Sequence, residues 1–266
     1  MTFQKPSQIE REPQLLHVKL GITNRCNCQC LHCAPSSGAR LDDELSTEKL
    51  LSLIDEIAEA DVLVLTLTGG EPTLHKDILK IISRASHNEM LVSMLTNGVA
   101  IDERLGKKLA YNGLSSAGIS IDGSPEIHDY IRQHQGSFEK AVRAFDIFTK
   151  FDVDVTLSMT INRINQNDIT FVQELAERLD TTVNFETTYF VGRAEENRQL
   201  LDFPSFHYDR DCKSACPGGQ FNCYIAPNGD VSPCSVAPVI AGNINSQKLQ
   251  DIWTNSSVFN DFRSSE

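Results

Sequence analysis

Residues 62–70 read VLVLTLTGG. A β-branched, apolar run closed by two glycines is the pattern of a buried strand that ends in a tight turn. Upstream, residues 46–60 (STEKLLSLIDEIAEA) place apolar residues at helical spacing behind an N-cap at Ser46 or Thr47. Before them, residues 15–22 (LLHVKLGI) read as another strand. Downstream the alternation continues: helix near 76–87, strand 90–96, helix 101–112, strand 117–122, helix 137–150, strand 153–160, helix 167–179 and strand 182–188. Six strands with five intervening helices in β-α order build a parallel sheet with right-handed crossovers. Six units fall short of an eight-fold barrel, which leaves an open partial barrel or a doubly wound sheet. Both place an active site at the C-terminal ends of the strands. Gly69-Gly70, Asn97-Gly98 and Asp122-Gly123 fall at those ends.

The 266 residues suffice for one or two domains and a substantial core. The composition, 40% hydrophobic and 23% charged with 15 Gly and 10 Pro, is that of a globular protein. No stretch approaches the ~18 apolar residues of a membrane span, and residues 1–14 lack the apolar core of an export signal. A net charge of −12 without a basic run argues against nucleic acid and anionic lipid as partners. Cytoplasmic location is the default expectation.

The eight cysteines fall in two groups, Cys26–Cys33 and Cys212–Cys234, and residues 34–211 contain none. For a chain of this size with no export signal, metal binding is a better reading than disulfides. In the first group (ITNRCNCQCLHC, residues 22–33) Cys26, Cys30 and Cys33 have the spacing C-x3-C-x2-C, straight after the first strand. Soft thiolates in a short loop suit zinc or an iron–sulfur cluster. A [4Fe–4S] cubane can use three cysteines and leave its fourth iron open. Cys28 is too cramped to join them and reads as a bystander thiol.

With these residues the chain resembles the radical S-adenosylmethionine (SAM) superfamily, whose signature is C-x3-C-x2-C with an aromatic-type residue, here His32, before the last cysteine. Further features match in order: Gly69-Gly70-Glu71-Pro72, Thr96-Asn97-Gly98 and Ser120-Ile121-Asp122-Gly123. The resemblance implies a cluster held by Cys26, Cys30 and Cys33. It also implies a SAM site built from Gly69, Gly70, Glu71 and Pro72 at the methionyl amino group, Asn97 nearby, Ser120 and Asp122 at the ribose, and Arg132 at the carboxylate. His32 is expected to neighbour the cluster or adenine. Ser158, Thr160 and Asn162 share one face of the fifth strand and are candidates for SAM or substrate contact. The expected fold is then α/β: a partial (β/α)6 TIM-like barrel over residues 15–190.

Residues 190–211 read as a connector. Beyond it, FNCYIAPNGDVSPC (221–234) reads as a hairpin around Pro227-Asn228-Gly229-Asp230, and 246–262 as a closing helix. Cys212, Cys216, Cys223 and Cys234 could close around zinc or a second cluster. The spacing Cys216-x12-Gly229-x4-Cys234 resembles the SPASM/Twitch extension, which implies an auxiliary [4Fe–4S] cluster in a small domain over 212–262. No cysteine follows Cys234, so one auxiliary cluster at most is expected.

The implied activity is reductive cleavage of SAM to a 5′-deoxyadenosyl radical that takes hydrogen from a substrate, foremost a peptide undergoing modification. A small metabolite is the alternative substrate. A non-catalytic iron–sulfur or zinc protein is the third reading, but it leaves Gly69–Pro72 unexplained. Glu186, Tyr189 and Arg193, at the end of the sixth strand, are the substrate-side candidates. A reduced flavodoxin or ferredoxin is the expected electron donor. About 14 residues before the first strand leave no room for a leader-peptide domain, so a peptide would dock directly or through a separate recognition protein.

Overall fold

A computed structural model of the protein describes residues 13–202, 218–237 and 239–264. The alternation of the sequence folds as β1 (His17–Gly21), α1 (Thr47–Glu59), β2 (Val64–Thr68), α2 (Ile78–His87), β3 (Leu91–Thr96), α3 (Glu103–Tyr111), β4 (Leu114–Ser120), α4 (Pro125–Arg132), α5 (Ser137–Lys150), β5 (Asp154–Ile161), α6 (Ile169–Arg178) and β6 (Val183–Thr187). These six strands lie parallel in sequence order. No helix among the described residues is long and apolar enough to cross a membrane.

Local chemistry explains the helices. Ser46 Oγ accepts from the Lys49 N–H at 3.3 Å and starts α1, while Asp102 Oδ1 accepts from the Leu105 N–H at 2.7 Å and starts α3. Leu50, Leu53, Ile54 and Ile57 form one buried face of α1, each side chain worth ~1.5–3 kcal/mol on burial. Strand alternation separates the two faces of the sheet. Val92 and Met94, Ala117 and Ile119, and Leu157 and Met159 pack in the core. Leu95, Gly118, Ser120, Ser158, Thr160 and Glu186 instead border a single cavity. A sheet whose strands β2 to β6 all reach one cavity is curved around it, and this is the partial barrel.

Three features differ from the sequence reading. First, α4 lies where only a connection was expected. Pro125 occupies its first turn, and Gln133 ends it in the left-handed conformation (φ 52°), a role commonly filled by Gly. Second, the connector carries two short helices, α7 (Arg193–Glu196) and α8 (Arg198–Leu201). Third, the closing helix is broken at Ser256 into α9 (Leu249–Asn255) and α10 (Ser257–Arg263).

The hairpin forms as expected from β7 (Asn222–Ile225) and β8 (Asp230–Ser232), and a short β9 (Gly242–Asn243) follows. Because β7 pairs in parallel with β1, the nine strands among the described residues make one sheet, ordered β6-β5-β4-β3-β2-β1-β7-β8-β9. The extension is therefore continuous with the barrel. Trp253 is fully buried and donates from Nε1 to the Pro13 carbonyl at 2.6 Å. The Arg263 guanidinium lies 4.2 Å from the Trp253 ring centre.

Candidate functional site

The loop after β1 carries Cys26, Cys28, Cys30 and Cys33, and all four border the cavity. The loop is gripped on several sides. The Cys26 N–H donates to Gly38 at 2.9 Å, and the Gly38 N–H donates to Asn24 at 3.0 Å. The nearly buried Glu44 carboxylate accepts from the Asn24 N–H at 2.7 Å, the Thr23 hydroxyl at 3.0 Å and the Leu41 N–H at 3.0 Å. At the end of β2, Gly70 N–H donates to Thr23 at 2.7 Å and Glu71 N–H to Arg25 at 2.8 Å. A Cβ on Gly69 would stand 2.2 Å from the Thr23 carbonyl oxygen, and one on Gly70 2.4 Å from that of Arg25. The two glycines are thus required by the close approach of the cysteine loop.

Donors also point at the sulfurs themselves. Ser37 N–H reaches Cys33 Sγ at 3.3 Å, Cys28 N–H reaches Cys26 Sγ at 3.5 Å, Arg132 Nη1 reaches Cys30 Sγ at 3.7 Å and Asn97 Nδ2 reaches Cys26 Sγ at 3.9 Å. Such donors stabilise thiolates. Burial pushes the Cys26 thiol up to about 11 and raises Cys33. Cys30 goes the other way: the Cys28 thiol bonds to it and, against the effect of burial, Arg132 and His32 add to the downward shift.

The predicted acids turn away from the cavity. Glu71 is 1% exposed and accepts from the Thr73 hydroxyl at 2.6 Å, the Thr96 hydroxyl at 2.8 Å, the Asn97 N–H at 2.8 Å and the Thr73 N–H at 3.2 Å. Burial raises its carboxyl, and these donors oppose the shift. Asp122 is 0% exposed. Its Oδ1 accepts from the Thr160 N–H at 3.1 Å, and its Oδ2 stands 2.7 Å from Arg132 Nε and 3.4 Å from His32 Nε2. Burial would raise the Asp122 carboxyl, but Arg132, His32 and His128 outweigh it and hold it below the usual range. Neither carboxylate borders the cavity.

Gly69, Gly70, Asn97, Ser120, Arg132, Ser158 and Thr160 do border it, as do His32, Glu186 and Tyr189. Pro72 is buried in a short 3-10 turn, Pro72–Leu74. Asn162 is fully buried, where its Oδ1 accepts from the Ile164 N–H at 2.9 Å and shapes a turn. Arg193 does not face the cavity. It donates to the carbonyls of Ser37 at 2.7 Å and Cys30 at 3.3 Å, and so braces the cysteine loop from α7. Asn197 adds a bond to the Leu31 carbonyl at 3.1 Å. Sequence reasoning missed Glu44 and Asn197 as braces, since both partner residues lie far away in the chain.

In the extension, Cys223 lies on β7. It is 2% exposed within the apolar core, in register with Val18 of β1, and burial pushes its thiol up to about 12. Cys234 follows β8, and the adjoining Ser235 and Val236 border the cavity. Cys212 and Cys216 lie outside the described residues.

A radical SAM superfamily profile matches residues 20–176, more than half of the chain. The chain belongs to the radical SAM superfamily. Residues 216–266 match the SPASM iron–sulfur cluster-binding domain. Among curated relatives, an AdoMet-dependent heme synthase of Methanosarcina barkeri is 28% identical over 92% of this chain and 84% of its own. Mycofactocin maturase MftC of Mycolicibacterium smegmatis is 31% identical over 91% of this chain and 71% of its own. Among solved structures, SuiB of Streptococcus suis bound to S-adenosylmethionine superposes with a TM-score of 0.75 at 14% identity, over 95% of this chain and 68% of that one, and so shares the fold.

A radical SAM enzyme uses a [4Fe–4S] cluster and SAM, and a SPASM domain adds iron–sulfur binding. The residues present suit both cofactors. Three thiols on one loop, each with an N–H donor at its sulfur, form a thiolate set. The facing wall of Ser120, Ser158 and Thr160 is polar and neutral, fitting a hydroxyl-rich and zwitterionic ligand. Among the described residues no three His, Cys, Asp or Glu side chains converge on a point as a single metal ion requires. A cubane spreads its ligands around a larger body.

Proposed function

We propose that Cys26, Cys30 and Cys33 hold the SAM-binding [4Fe–4S] cluster, and that the enzyme uses SAM to abstract hydrogen from a peptide substrate. The observation that carries this reading is that one cavity, about 260 Å³ in volume, is bordered by these three thiols, by Gly69 and Gly70, and by Ser120, Ser158 and Glu186. A reduced cluster held by Cys26, Cys30 and Cys33 would supply one electron to SAM, whose C5′–S bond would break to give methionine and a 5′-deoxyadenosyl radical. The protein's share is to hold and screen. Gly69, Gly70 and Asn97 line the methionyl side, and the hydroxyls of Ser120, Ser158 and Thr160 receive the polar groups of SAM. Glu186 and Tyr189 face the substrate. Cys212, Cys216 and Cys234 are the proposed ligands of an auxiliary cluster, with Cys223 left in the core. A flavodoxin or ferredoxin supplies the electron.

A PqqA peptide cyclase of Rhizobium meliloti, 28% identical over 98% of this chain and 80% of its own, supports a peptide substrate. The heme synthase supports a second reading, a small tetrapyrrole substrate. Reconstituted enzyme should release 5′-deoxyadenosine from SAM under dithionite, and the triple variant Cys26→Ala/Cys30→Ala/Cys33→Ala should release none while keeping about four irons. Release by the triple variant would refute the ligand assignment. Co-expression with a short peptide encoded beside the gene should change that peptide's mass. An unchanged peptide and an altered porphyrin would favour the second reading.

A further inference from the structure

We infer that Arg132 is a positioning residue for the cluster rather than a ligand of SAM: its guanidinium, locked by Asp122 against the Cys30 sulfur, sets the reduction potential. This rests on the reading above that Cys30 is a cluster ligand.

The geometry fixes both ends of the guanidinium. Nε stands 2.7 Å from Asp122 Oδ2, and Nη1 donates to Cys30 Sγ at 3.7 Å. Arg132 is only 9% exposed. Asp122 is pinned in turn. Thr160 N–H donates to its carboxylate at 3.1 Å, its own N–H donates to His128 Nδ1 at 3.0 Å, and Asn165 Nδ2 donates to its carbonyl at 2.9 Å. Its main chain is thus fixed by His128 and Asn165, and its carboxylate cannot swing away from Arg132 without breaking the bond from β5.

The backbone repeats the arrangement. Gln29 N–H donates to the Arg132 carbonyl at 3.3 Å and Leu31 N–H to the Ile131 carbonyl at 2.9 Å. Cys30 is thus bracketed by two bonds to the last turn of α4, and its distance from Arg132 is set by the backbone.

A cation and an N–H donor at a ligand sulfur favour the more negative, reduced state of a cluster. Burial keeps water and salt from screening that effect. One cation already shared between two anionic partners, Asp122 and the Cys30 thiolate, is poorly placed to neutralise a third, the SAM carboxylate.

The test is an EPR-monitored potentiometric titration of the anaerobic holoenzyme without SAM, following the cluster whose signal changes when SAM is added. Four variants are compared: Arg132→Met, Arg132→Lys, Asp122→Asn, and Asp122→Asn/Arg132→Met. The double variant leaves no buried carboxylate unpaired, so, read against Asp122→Asn, it carries the test where Arg132→Met does not load iron. In Arg132→Met against wild type, and in the double variant against Asp122→Asn, the reduced-to-oxidised ratio at fixed potential should fall about tenfold, ~59 mV for a one-electron couple. Arg132→Lys keeps the charge and should stay within threefold of wild type. SAM affinity by equilibrium dialysis should stay within threefold in all four. A midpoint unchanged between Asp122→Asn and the double variant overturns the inference, and a tenfold loss of SAM affinity beside that result assigns Arg132 to SAM. Absence of any SAM-responsive cluster in the wild type would instead overturn the underlying ligand reading.

Discussion

Replacing Gly70 by Ala tests whether the glycine pair exists to seat the cysteine loop. The added Cβ would lie 2.4 Å from the Arg25 oxygen, 2.5 Å from the Asn24 oxygen and 2.7 Å from the Arg25 carbonyl carbon, all backbone atoms. Proteins do not tolerate Cβ contacts under 3.0 Å, so the loop must withdraw by more than half an ångström. It then strains the bonds from Gly70 N–H to Thr23 and from Glu71 N–H to Arg25, 2.7 and 2.8 Å long. Overpacking of this kind costs about 1–3 kcal/mol and each of the two weakened bonds about 0.5–1.5, together about 2–6 kcal/mol. For a chain of this size that is a fall in Tm of about 4–24 °C. The assays are thermal unfolding of the metal-free chain and iron per chain after anaerobic reconstitution, where the displaced thiols should hold less iron. Gly38→Ala is the matched control. It lies in the same loop with nothing within 4 Å of its added Cβ, and should change stability by no more than about 0.5 kcal/mol. If Gly70→Ala melts with the control and keeps its full iron, the loop does not rest on the glycines and the argument fails.

Four further predictions follow from the same contacts. Glu71→Gln turns an amide N–H toward the Asn97 or Thr96 donor and should destabilise the chain by about 2–4 kcal/mol in urea unfolding; a midpoint equal to wild type would mean the acid already holds a proton. Cys223→Ala should lower Tm but leave the iron count intact, whereas Cys234→Ala should reduce it; iron loss in Cys223→Ala would restore Cys223 as a ligand. Arg193→Met loses two bonds to the cysteine loop and should release iron to a chelator several-fold faster, with equal rates counting against the brace. His128 is held neutral, its value lowered to about 4 first by burial and then by Arg132. Below its ordinary value of about 6.5 the unfolded chain therefore takes up a proton that the folded chain refuses. Stability should decline as pH falls from about 6.5 to about 4, by about 3 kcal/mol at most from this group, and His128→Gln should flatten that part of the profile.

The barrel strands and their covering helices were legible because apolar periodicity reports burial directly. Where periodicity fails, so does the reading. In β4, Gly118 and Ser120 face the cavity, and the polar start of the strand hid its first three residues. The eight residues of α4 span too few turns for an apolar face to stand out, although Ser124-Pro125 was a usable start signal. The cysteine motif was legible because three thiols at that spacing have few other uses. The acids were not. A carboxylate after a strand reads as a ligand partner, yet whether it faces the cavity or the scaffold depends on donors far away in the chain. Thr96 and Asn97 claim Glu71, and Thr160 and Arg132 claim Asp122.

With the Glu71 and Asp122 carboxylates bound inward, hydroxyls, glycine backbone, the Asn97 amide and the Arg132 guanidinium border the cavity beside the thiols, and among the described residues Glu186 is the carboxylate that borders it. The end of β2, the last turn of α4, and the short α7 with the residue that follows it all bond to the cysteine loop, through Glu71, Arg132, Arg193 and Asn197 among others. A loop fixed from three distant elements has little freedom left to lose when a ligand arrives, so less of the binding energy goes into ordering it. The braces that do this work are the same side chains that look, in sequence, like contacts to the cofactor. Their loss should therefore appear first in iron retention and reduction potential, and only secondarily in SAM affinity, which is the pattern that separates a scaffold for the cluster from a grip on the cofactor.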